Sequence, residues 1–68
     1  MKMYEAVRGY LDENGIKQKA VAEKIGFSVP TFNAMMNGRR MMYADDLAKI
    51  CIALGVPAET FVRRAMGG

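Results

Sequence analysis

The sequence predicts an all-α fold, one unit over residues 1–68 made of five short helices, and three observations carry that reading. Apolar residues recur at helical spacing between the turn signals. Glycine and proline fall at intervals of about ten residues, as short helices joined by tight turns require. No repeat, low-complexity stretch or linker interrupts the chain.

The first helix is expected over residues 2–13, where Met3, Val7, Tyr10 and Leu11 form one apolar face, and it stops before Asn14-Gly15. The second is expected over 18–25, with Val21, Ala22 and Ile25 on a shared face and Gly26 supplying the left-handed residue that ends it. Ser28 is placed to cap a third helix whose first turn holds Pro30, where a missing N–H costs nothing; Phe32, Met35 and Met36 point inward, and Asn37-Gly38 closes it. A connection from Arg39 to Tyr43 leads to a fourth helix with Leu47, Ile50, Cys51 and Leu54 as its buried stripe. Asp45 and Asp46 fall in its first turn, where negative charge opposes the helix dipole favourably. Gly55 ends it, Pro57 opens a fifth helix with Phe61, Val62 and Ala65 on its apolar face, and Gly67 and Gly68 should fray.

Composition narrows the function classes. A domain of 68 residues buries only about 60% of its unfolded surface, so a second copy would help to stabilise it. With one cysteine, Cys51, and no histidine, an internal disulfide is impossible and a metal site would have little to draw on, so no cofactor is expected. No apolar run approaches the roughly 18 residues of a membrane span and no signal peptide is evident, which points to the cytoplasm. An enzyme is not expected: the acid pairs Asp12-Glu13 and Asp45-Asp46 diverge by about 100° on a helix and make no catalytic dyad. The net charge of +3 suits an anionic partner, and Arg39-Arg40 is its sharpest local concentration.

The segment 18–37 has the residue types that a helix-turn-helix demands in order. Ala22 is small where two helices must cross, Gly26 makes the turn, and Val21, Ile25, Phe27, Phe32 and Met35 are apolar where the crossing buries them. From Ile16 to Phe61 the chain resembles the DNA-binding domain of the lambda repressor/Cro family of phage and bacterial regulators. The resemblance rests on Gln18 with Val21-Ala22-Glu23-Lys24-Ile25-Gly26, on Ser28 and Thr31, on Asn37-Gly38-Arg39-Arg40, and on Leu47-Ala48-Lys49-Ile50 with Ala53-Leu54-Gly55-Val56. It implies a five-helix repressor-like domain that binds double-stranded DNA, with the third helix in the major groove and the second across the phosphate backbone.

Carried over residue by residue, the resemblance places Gln18 on a phosphate and against the start of the recognition helix, with Lys17 and Lys19 beside it. Val29, Pro30, Asn33 and Ala34, with Thr31 at the edge, would form the outward face of the third helix, with Ser28 at its head among the DNA-binding residues, and Asn37, Arg39 and Arg40 would sit over the backbone. Two departures from the family pattern matter. Val29, Pro30 and Ala34 stand where polar side chains are commoner, which favours thymine methyl groups and leaves Asn33 to read adenine, hence an A·T-rich site. Lys17 stands where a Ser or Thr cap is usual.

A homodimer is expected, with Phe61 and Val62 as its self-contact, and neither a membrane nor a small-molecule ligand is expected as partner. The rival expectation is a protein-interaction module that keeps the fold without binding DNA, suggested by the uncharged recognition face and by Met41, Met42 and Met66 as an exposed, adaptable patch.

Overall fold

The computed structural model describes residues 1–67, which form five α-helices and no strand: α1 (Met3–Glu13), α2 (Gln18–Ile25), α3 (Val29–Met36), α4 (Ala44–Leu54) and α5 (Glu59–Gly67). Local chemistry accounts for their ends. The Glu5 carboxylate takes the Lys2 N–H at 2.8 Å at the start of α1, and the Asn14 side-chain amide donates to the Tyr10 carbonyl at 2.8 Å at its end. Gly26 stops α2 at φ +78°, which lets the Phe27 N–H reach back to the Ala22 carbonyl at 2.9 Å. The Ser28 side chain accepts from the Thr31 N–H at 3.3 Å to start α3, with Pro30 in the first turn.

The fifth helix starts later than the sequence suggests. Pro57 and Ala58 form a turn whose carbonyls accept from Thr60, Phe61 and Val62, and regular helix runs from Glu59. Gly67, expected to fray, is the last residue of α5, and Gly68 lies outside the described residues.

The core is one cluster of Val7, Leu11, Val21, Ala22, Phe32, Met35, Met36, Ile50, Cys51 and Phe61, to which every helix contributes. Full burial of side chains such as Phe32 and Phe61 contributes about 1.5–3 kcal/mol each. Leu47 and Leu54, expected in the buried stripe of α4, pack half-buried against it. Burial pushes the Cys51 thiol above its ordinary pKa, in keeping with a packing role. Helix α2 packs on α3 and α4, and α1 packs on α3 and α5.

The α1–α5 seam is closed by polar ties as well as by the edge-to-face stack of Tyr10 on Phe61, 5.4 Å between ring centroids. Arg64 grips Glu13 through both Nη atoms, and the Met1 amino group donates to the Ala65 carbonyl at 3.1 Å. The guanidinium passes over Gly9, where a Cβ would stand 3.1 Å from Nη2, so a larger residue would push it aside. The Arg64 hydrogen bond and charge hold the Glu13 carboxyl below its ordinary value.

Two expectations about surface residues need correction. Phe61 is 0% exposed, sealed by Tyr10 and the core, and so takes no part in a self-contact of this fold; Val62, next to it, is 42% exposed. Met42 is half-buried against the core, so the expected patch of Met41, Met42 and Met66 loses its middle member.

Candidate nucleic-acid interface

The first turns of the helices divide into two kinds. Those of α1, α4 and α5 contain Glu5, Asp45 with Asp46, and Glu59, whereas those of α2 and α3 contain no acidic residue. Lys17 and Lys19 stand exposed at the start of α2. Positive charge at the positive end of a helix dipole disfavours the isolated helix but favours an anion placed there. Gln18, half-buried between the two lysines, has no side-chain hydrogen bond among the described residues, so the brace to α3 that the resemblance implied is not formed, and its amide remains available to an acceptor.

On α3, spacing decides what faces out. Val29, Phe32 and Met36 share one face at i, i+3, i+7, and accordingly Phe32 and Met36 are fully buried. Val29, expected on the outward face, packs half-buried against the core with them. The outward stripe is Pro30, Asn33, Ala34 and Asn37, at i, i+3, i+4, i+7, with Thr31 beside it. Ser28 and Thr31 join hydroxyl to hydroxyl at 2.7 Å at the head of the stripe. A helix of eight residues is about 12 Å long, enough to lie along three or so base-pair steps.

Beyond α3 the backbone coils round the Ala34 carbonyl, which accepts from the N–H groups of Asn37, Arg39 and Arg40. Gly38, at φ +79°, suits this turn: a Cβ would lie 2.7 Å from the end of the Tyr4 ring, which would have to shift, and a side chain in the left-handed region would itself be strained. Tyr4 lies under the Arg8 guanidinium, which is 5.8 Å from the ring centroid, and Arg8 donates to the Met36 carbonyl at 3.1 Å, so α1 fastens the end of α3.

The two adjacent arginines part company here. Arg39 is exposed and has no ion pair or side-chain hydrogen bond among the described residues. Arg40 turns inward: its Nη1 lies 3.1 Å from Asp46 Oδ2 and 3.2 Å from the Met41 carbonyl, and its guanidinium lies 5.1 Å from the Phe27 ring centroid. Phe27 receives a second cation, Lys49, at 5.8 Å. Asp46, 6% exposed, also accepts the Tyr43 N–H at 3.0 Å, so one carboxylate caps α4 and anchors the loop. Burial acts to raise its pKa, but the Tyr43 N–H, the Arg40 hydrogen bond and charge, and Lys49 outweigh it and hold the carboxyl below its ordinary value. Arg40, expected over the phosphates, thus has its Nη1 engaged by Asp46 and the Met41 carbonyl while its side chain stays 35% exposed, which gives it a positioning role at this corner.

Of the residues picked out in the sequence, the structure leaves Lys17, Lys19, Ser28, Pro30, Asn37 and Arg39 exposed, with Gln18, Thr31, Asn33 and Ala34 partly so. Sequence reasoning missed Tyr4, Arg8 and Asp46 as supports of the α3–α4 corner. The separation of Arg8 from Met36 by 28 residues explains why no local pattern marked it. Among the described residues no three acidic or cysteine side chains gather as a metal site would need, and no helix is long and apolar enough to cross a membrane.

A family model described as the Cro/C1-type HTH DNA-binding domain matches residues 7–64. No curated protein and no solved structure matches the chain.

Proposed function

The chain belongs to the Cro/C1-type helix-turn-helix DNA-binding family, and from that premise we propose that residues 1–68 act as one unit, a sequence-specific transcription regulator and operator reader of the repressor kind. The observation that carries this reading is the absence of acid from the first turns of α2 and α3 alone, beside Lys17 and Lys19. Phosphates of the duplex supply the negative charge that those helix ends lack. Gln18, Lys17, Lys19, Asn37 and Arg39 hold the backbone, while Pro30, Asn33 and Ala34, flanked by Thr31, read an A·T-rich major groove, Asn33 pairing with adenine. The function requires no catalytic step and no cofactor, and it places the protein with the genome in the cytoplasm.

The reading includes a homodimer on a two-fold operator, with recognition helices about 34 Å apart. A subunit measuring 31 × 24 × 22 Å fits one such half-site. With Phe61 buried, the self-contact falls to Val62 and to Met66 one turn on, both exposed on α5. Sedimentation showing only monomer at high concentration and on a two-fold duplex would remove this part of the proposal.

The test is an NMR titration of labelled protein with an A·T-rich duplex at two salt concentrations. Amide shifts concentrated at residues 17–19, 28–34 and 37–39, weakening steeply as salt rises, are the expected result. Absent shifts would favour the rival reading of a fold turned to protein partners, which the uncharged stripe on α3 supports.

A further inference from the structure

The outer sides of the last turn of α2 and of α4 enclose an open groove of about 490 Å³, lined by Lys24, Ile25, Lys49, Ile52 and Ala53. Ile52 is 81% exposed at its edge. It lies off the buried stripe of α4, and a β-branched residue is a poor choice for a solvent-facing helix position, so neither packing nor helix propensity accounts for it. The charged residues lining the groove are both lysines. Both are held in place: Lys24 Nζ donates to the Ala53 carbonyl at 3.3 Å, joining the end of α2 to the end of α4, and Lys49 Nζ lies 5.8 Å from the Phe27 ring centroid.

From an exposed aliphatic side chain set between two positioned ammonium groups, we infer that this groove docks an acidic amphipathic segment of another protein, with an apolar anchor on Ile25 and Ile52 and carboxylates on Lys24 and Lys49. Charge complementarity selects the occupant. A phosphate backbone would satisfy the lysines but offers Ile52 nothing apolar to cover it. A second copy meeting this groove with its own is disfavoured, because it would set Lys24 and Lys49 against lysines of like charge. The inference goes beyond the DNA-binding reading and does not depend on it.

The experiment is a selection from a displayed library of helical peptides with the folded full chain as bait, followed by NMR mapping of the best peptide. Enriched peptides should surround an aliphatic or aromatic anchor with Asp and Glu, and amide shifts should fall at residues 24–25 and 49–53. Ile52→Lys, at an exposed position, should keep the parent melting curve and weaken binding at least tenfold; Lys49→Gln should weaken it severalfold and make it less sensitive to salt. No enrichment, enrichment of neutral or basic peptides, shifts centred elsewhere, or binding indifferent to Ile52→Lys would overturn the inference. So would equal shifts at these residues from a DNA duplex or from raised protein concentration alone.

Discussion

The two helices of the motif and the three that surround them solve the problem of a helix end in opposite ways. In α1, α4 and α5 the first turn carries its own carboxylate, and two of these, Glu5 and Asp46, accept a backbone N–H directly. In α2 and α3 the first turn carries none, and α2 opens between two lysines. The surrounding helices carry an anion in their own first turn, whereas α3 has only the neutral Ser28 cap and α2 no side-chain cap, so an external anion can oppose the dipole at both motif helices. On the proposed function, the difference separates residues that serve stability from residues that serve binding, even where they are neighbours in the chain.

Breaking the self-sufficient side gives the largest expected effect. Asp46→Ala strands Arg40 and the Tyr43 N–H together and should cost about 3 kcal/mol in urea unfolding; unchanged stability would mean that Arg40 anchors nothing. Gly38→Ala, which combines a left-handed backbone with a collision against Tyr4, should cost about 2 kcal/mol and shift amides in both α1 and α3.

The binding side should answer differently. Arg39→Ala should leave stability within about 0.5 kcal/mol of the parent while reducing the slope of log affinity on log salt by about 0.9, the signature of one lost phosphate contact. Lys19→Glu sharpens the comparison most, because the same charge should raise stability by about 0.5 kcal/mol through the helix dipole and weaken duplex binding; a change of the same sign in both would dissolve the distinction. The smallest effect is with pH. The Asp46 carboxyl is depressed in the folded state, so its contribution is fully present above its unfolded pKa and is lost as pH falls through the lower folded value. A thermal melt should therefore weaken below about pH 4, with a gentler acid limb in Asp46→Asn.

Much of this architecture is legible in the sequence because its signals are local. The bounds of α2, the Ser28 cap, the Pro30 position and the left-handed Gly26 all follow from residues within a few positions of one another. What stayed hidden depends on partners brought from a distance. Nothing in Arg39-Arg40 marks which guanidinium will find Asp46 and Phe27, and nothing in Phe61-Val62 marks which will lie beneath Tyr10. On the candidate site, the helical repeat identified Pro30, Asn33 and Ala34, while the turn of the first residue of α3 toward Phe32 and Met36 moved Val29 inward.

The α1–α5 seam sets an order of assembly. Its ties join Glu13 to Arg64 and Met1 to Ala65, separations of 51 and 64 residues, whereas Lys2 with Glu5, Ser28 with Thr31 and Arg40 with Asp46 close loops of 3 to 6 residues. Long closures lose more chain entropy before any contact rewards them, so the seam should form late and open early. In hydrogen exchange α5 should therefore breathe ahead of the motif, which can stay folded while the two ends of the chain come apart and rejoin.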